Sequence, residues 1–72
     1  MNNSMKTILI IDDEPAFRQS LAFFLEDQEY ITIQAENGRT GLRIFEEEQI
    51  DLVLVDLRMP EVDGLEVLSR IE

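Results

Sequence analysis

Apolar residues run without a break from Ile8 to Ile11 and again from Leu52 to Val55, and both runs stop on carboxylates, Asp12-Asp13 and Asp56. Runs of that length and β-branched character suit parallel strands covered on both faces. They predict a first strand at Thr7 to Ile11 and a third at Leu52 to Val55. The stretch from Tyr30 to Ala35 is patterned differently. There Ile31, Ile33 and Ala35 alternate with Thr32 and Gln34, the period of a half-buried strand, and a sheet-edge position accounts for the polarity. Between the first two strands, Phe17, Leu21, Phe24 and Leu25 fall on one helical face from Pro15 to about Asp27, and they are read as core. Proline is well tolerated in a first helical turn, and acids there complement the helix dipole. Phe23 lies off the stripe and is read as meeting a part of the fold outside this chain.

Asn37-Gly38 reads as a turn in which Gly38 takes a positive φ. A second helix follows from about Arg39 to Glu48, with Leu42 and Phe45 inward and Ile44 beside them. Glu46-Glu47-Glu48 opposes the negative end of that helix, so fraying is expected there. After Asp63-Gly64, itself a turn and helix start, Leu65, Leu68 and Ile71 return at helical spacing with Val67 alongside. No stop signal precedes Glu72. The pattern is βαβαβα, an α/β fold. Right-handed crossovers between parallel strands restrict the topology. With the half-polar second strand at the edge, the order is 2-1-3. The chain then reverses direction between strands one and three, which is where open α/β sheets bind ligands. Asp12, Asp13 and Asp56 all hang over that crevice.

Composition narrows the chemistry. The 72 residues allow one domain at most, and a chain this short buries proportionally little surface. Cysteine and histidine are both absent, so no disulfide or thiolate–metal site can form, which fits a reducing compartment. Sixteen acids against six Lys plus Arg give a net charge of −10. That balance excludes direct nucleic-acid binding by this segment and suits divalent cations and basic partners. No apolar run approaches membrane-span length and no signal peptide is visible, so no membrane contact and a cytoplasmic location are expected. Residues 1–5 are expected to be disordered.

Three close carboxylates repel one another unless a cation neutralises them. Oxygen ligands without His or Cys select a hard ion, Mg²⁺ first. A carboxylate beside such an ion can act as a nucleophile on phosphorus. The plainer reading of Asp12 and Asp13, helix capping, does not explain acids at the ends of two adjacent buried strands.

Ile8-Leu9-Ile10-Ile11-Asp12-Asp13-Glu14 and Asp56-Leu57-Arg58-Met59-Pro60-Glu61-Val62-Asp63-Gly64 resemble the receiver domain of two-component response regulators. The acid pair after the first strand and the D-x-x-M-P-x-x-D-G run after the third stand in the right order and separation. Asn37-Gly38 also suits the family. The resemblance covers the chain from about Lys6, and the paired motifs are highly specific. It implies a flavodoxin-like sheet, of which these residues supply the strands in order 2-1-3. It further implies that Asp56 accepts a phosphoryl group from the phosphohistidine of a histidine kinase or phosphotransfer protein. Asp13 would ligate Mg²⁺ directly, Asp12 mostly through water, and the backbone carbonyl of Arg58 would add a ligand. The Arg58 side chain, more often merely exposed at such a place, lies beside the phosphoryl site in the family and could tune the phosphoryl group's lifetime. Such a domain is a regulatory phosphoacceptor and not an enzyme.

The family also carries a Ser or Thr ending a fourth strand, a Lys ending a fifth and an aromatic switch residue. Residues 6–72 correspond to roughly the first three-fifths of a receiver, given domains of about 100–150 residues. The chain is therefore read as part of a longer regulator, ending within the third helix, with its output region elsewhere. The apolar edge of strand three would then invite self-association. Two other functions are weighed. One is a receiver-like scaffold acting as an interaction module without phosphotransfer. The other is a Mg²⁺-dependent phosphatase of the haloacid-dehalogenase type with an aspartate nucleophile. That class wants Asp-x-Asp after its first strand, whereas Asp12 and Asp13 are adjacent.

Overall fold

Three short strands lie side by side, with helices packed on both faces of the sheet they form. In the computed structural model, residues 5–56 and Ile71 are described. The elements are β1 (Thr7–Ile11), α1 (Pro15–Asp27), β2 (Ile31–Ala35), α2 (Gly38–Glu47) and β3 (Leu52–Val55). The sheet is parallel in the order β2-β1-β3, as the patterning required. In register, Leu9 sits between Ile33 and Val53, and Ile11 between Ala35 and Val55.

Period-two alternation divides the core between the sheet's two faces. Leu9, Ile11 and Ala35 form one cluster, on which Leu42, Ile44 and Phe45 of α2 pack together with Ile33, Val53 and Val55. Ile71, helical as expected, joins this face. Ile8 and Ile10 face the other way with Ala22 of α1, and Leu21, Leu25 and Leu54 complete that cluster. Opposite faces for α1 and α2 follow from crossovers of one hand running in opposite directions from the edge. Gly41 permits the close approach of α2 to β1: a Cβ there would meet the Cδ1 of Ile11 and lie 2.7 Å from its Cγ1.

Several local expectations need correction. Phe17 and Phe24 are 57% and 60% exposed, so they are not core. The face of α1 turned to the sheet carries Arg18, Leu21, Ala22 and Leu25, which leaves the two phenylalanines on its flank. Phe23, off the stripe, is 73% exposed. Leu52 is 51% exposed, because β3 has β1 alone as its neighbour among the described residues. Asn37-Gly38 is a helix start instead of a positive-φ turn. Asn37 is the N-cap of α2, its Oδ1 accepting from the Thr40 N–H at 2.8 Å, and no described glycine has positive φ.

The left-handed residue is Glu29, at φ 73°. It closes α1 in a Schellman arrangement, Tyr30 N–H donating to Leu25 O at 3.1 Å and Glu29 N–H to Glu26 O at 2.9 Å. The expected disorder of residues 1–5 lies outside the described residues except for Met5, which is exposed. Arg58, Pro60, Asp63-Gly64 and the third helix before Ile71 also lie outside them.

Candidate functional site

Each acid of the crevice is placed by a strand end. Asp12 directly follows β1, and its N–H donates to Ala35 O at 3.0 Å, carrying the ladder one bond beyond the strand. Asp56 directly follows β3, its N–H bonded to Ile11 O at 2.9 Å. The two residues thus extend neighbouring strands at the same level of the sheet. Asp12 is buried, Asp56 half-buried and Asp13 exposed, and each offers a carboxylate oxygen within 4.8 Å of the others. An open cleft of about 400 Å³ lies over them, lined by Asp12, Asp13, Glu14, Phe17 and Asp56. Beside it is an apolar hollow of about 180 Å³ between Phe17, Leu21 and Leu54, with Asp12 and Asp56 on its rim.

Burying a carboxylate is costly unless it is hydrogen-bonded. Asp12 meets that condition: its Oδ1 accepts from the Glu14 N–H at 2.9 Å. The capping reading of Asp12 is therefore half right. One oxygen serves the chain entering α1, where Glu14, the N-cap, makes no side-chain cap of its own. The cluster nevertheless forms as well. Its donors are all carboxylates, from two strand ends, close enough for one ion to bridge. That donor set fits Mg²⁺, which takes oxygen ligands and retains waters. The expected Arg58 carbonyl lies outside the described residues.

Two neighbours escaped the sequence reading. Phe17, assigned to the core, lines the cleft instead. Arg18 reaches the site from α1: one guanidinium N–H donates to the Asp12 backbone carbonyl at 2.7 Å, and Nε–H donates to Gln34 Oε1 at 3.0 Å. The available signal was its spacing. Residues 18, 21, 22 and 25 form one inward stripe, and an arginine on such a stripe needs polar partners.

Among the described residues, no helix is long and apolar enough to cross a membrane. The sequence profile of the response regulator receiver domain matches residues 8–72. Transcriptional regulatory protein GlrR of Escherichia coli K12 is 36% identical over 72 residues, all of this chain and 16% of GlrR. The response regulator TrrA of Thermotoga maritima, solved in complex with Mg²⁺-BeF, superposes with a TM-score of 0.90 at 43% identity. That match covers 93% of this chain and 58% of TrrA. TrrA in complex with the histidine kinase ThkA superposes with a TM-score of 0.88, again at 43% identity, covering the same shares of the two chains. The chain thus spans about a sixth of the curated relative's length and somewhat over half of the solved receiver's.

Proposed function

The chain belongs to the response regulator receiver family of two-component signal transduction, and from that premise we propose that Asp56 is its phosphoacceptor and that Asp12, Asp13 and Asp56 hold Mg²⁺. The observation that carries this reading is the convergence of three carboxylates from the ends of two adjacent parallel strands within 4.8 Å. It is supported by TrrA, which was solved with Mg²⁺-BeF and with a histidine kinase. The phosphatase alternative finds no support beside the receiver match.

In the proposed step, a carboxylate oxygen of Asp56 attacks the phosphorus of a phosphohistidine on a histidine kinase or phosphotransfer protein. The P–O bond forms as the P–N bond breaks. The electron pair leaves on the imidazole, which takes a proton from solvent. Bound Mg²⁺ supplies charge neutralisation while the phosphoryl group passes between acceptor and donor. Asp12 and Asp13 would hold the ion, and the Arg58 backbone carbonyl would add a further ligand. Asp56, kept in place by its N–H bond to Ile11 O, presents the nucleophile at the floor of an open cleft that a partner's side chain can enter. Residues 6–72 act as part of a receiver in the cytoplasm, governing an output region of a longer protein.

The test is direct. Incubated with Mg²⁺ and a small-molecule phosphodonor, the chain gains one phosphoryl group by intact-mass measurement. The Asp56→Asn variant gains none, and chelation of Mg²⁺ suppresses the gain in the parent chain. An adduct that survives in Asp56→Asn would assign the acceptor elsewhere.

A further inference from the structure

We infer that Arg18 is a positioning residue for the carboxylate cluster: by clamping the peptide that joins Asp12 to Asp13, it sets the affinity of the site for Mg²⁺. This rests on the reading of the cluster as a Mg²⁺ site. The Asp12 carbonyl lies just past the end of β1, beyond the last ladder bond, which Asp12 N–H makes to Ala35 O. Arg18 takes up that carbonyl at 2.7 Å, a short charge-assisted bond. Its Nε–H holds Gln34 Oε1 at 3.0 Å, and Gln34 is the β2 residue in register with Ile10 of β1. The planar guanidinium fork thereby ties α1, the end of β1 and β2 together.

The clamped carbonyl belongs to the peptide between two of the three carboxylate residues. Fixing that plane restrains ψ of Asp12 and φ of Asp13, the torsions that aim both Cα–Cβ bonds at the cleft. Asp12 is then held at its N–H by Ala35, at its carbonyl by Arg18 and at Oδ1 by the Glu14 N–H. So held, Asp12 offers a carboxylate oxygen within 4.8 Å of those of Asp13 and Asp56. Outer contacts that orient metal ligands typically govern affinity by about 10–100-fold.

Charge and position act in opposite directions here, which makes the inference decidable. Arg18 is a cation near a cation site. Were its charge the dominant effect, removing it would deepen the negative potential and tighten Mg²⁺ binding. If position dominates, removal weakens binding. We therefore titrate Mg²⁺ into the chain and into Arg18→Met, Arg18→Lys and Gln34→Ala, following backbone amide NMR shifts at Asp13 and Asp56. Unfolding midpoints are measured in parallel.

The positioning role requires Arg18→Met to raise the Mg²⁺ dissociation constant on the order of 10-fold. Arg18→Lys, charged but without the fork, should recover only part of that loss. Gln34→Ala, which keeps the arginine and removes one of its two partners, should give a smaller rise in the same direction. Unchanged or tighter binding in Arg18→Met would overturn the inference, as would a lowered midpoint with unaltered Mg²⁺ affinity in Gln34→Ala. A parent chain that shows no saturable Mg²⁺ response would overturn the metal reading itself, and the positioning role with it.

Discussion

Replacing Gly41 with alanine sets two well-understood effects against each other at the strand that carries the site. Alanine is the better helix former by about 1 kcal/mol, so propensity alone predicts stabilisation of α2. Packing predicts the reverse. The added Cβ would lie 2.7 Å from Ile11 Cγ1 and closer still to Cδ1, where carbon atoms normally rest about 3.5–4.0 Å apart. Relief needs movement on the order of 1 Å. Ile11 is fully buried, enclosed by Ala35, Leu42 and Val55, so it has little room to turn.

Overpacking of this kind costs about 1–3 kcal/mol. After the propensity gain, a net loss of up to about 2 kcal/mol remains for Gly41→Ala. Urea unfolding followed by circular dichroism measures it. Ile11→Val, which deletes the nearest clashing atom, costs about 0.5–1.5 kcal/mol by itself. In the double variant it should recover stability, giving a favourable coupling of about 1 kcal/mol. The clash also reaches the site, since Ile11 O holds the Asp56 N–H and Asp12 follows directly. Weaker Mg²⁺ binding in Gly41→Ala and its recovery in the double variant are therefore expected. A Gly41→Ala chain more stable than its parent, or strictly additive free energies, would refute the close approach of α2 to β1.

Two further substitutions probe the helix ends. Asn37→Ala removes the side chain that accepts from the Thr40 N–H and should cost about 1 kcal/mol in the same unfolding assay, whereas Asn37→Ser should restore most of it. Glu29 occupies a left-handed position, φ 73°, that glycine takes without steric cost. Glu29→Gly should therefore raise stability by up to about 1 kcal/mol, and a loss on that substitution would show that the Schellman closure is not strained.

The order of elements and the 2-1-3 sheet were legible because strand hydrophobicity reports on neighbours. Ile8 to Ile11 is apolar on both faces since β1 has strands on either side and helices above and below. Ile31 to Ala35 alternates since β2 lies at the edge. Strand ends were legible for the same reason, and with them Asp12, Asp13 and Asp56. What the pattern could not supply was rotation and conformation within an element. Phe17 and Phe24 share a helical face with Leu21, but the stripe that meets the sheet is centred between Leu21 and Ala22, and side chains about 90–110° round the helix from that centre reach solvent. Asn37-Gly38 carries the residues of a turn, and those same residues also start helices. The bonds from Thr40 N–H to Asn37 Oδ1 and from Gly41 N–H to Asn37 O mark the helix start. Glu29 carries no compositional mark of positive φ at all, because the requirement comes from closing α1 onto β2.

The site owes its geometry to the sheet more than to the loops around it. Asp56 is held through Ile11, Asp12 through Ala35, and Arg18 ties the Asp12–Asp13 peptide back to Gln34 on β2. Every one of these links runs to a residue of β1 or β2, so the backbone that carries the carboxylates is tied to the register of these parallel strands. A slip of one residue in β2 would bring Thr32 and Gln34 onto the face where Ile33 and Ala35 now pack. The hydrophobic free energy that fixes the register therefore fixes the spacing of the acids as well. The other lining residues of the open cleft, Glu14 and Phe17, lie on α1 and its approach, whereas Asp12 and Asp56 directly extend two strands of the sheet one layer below.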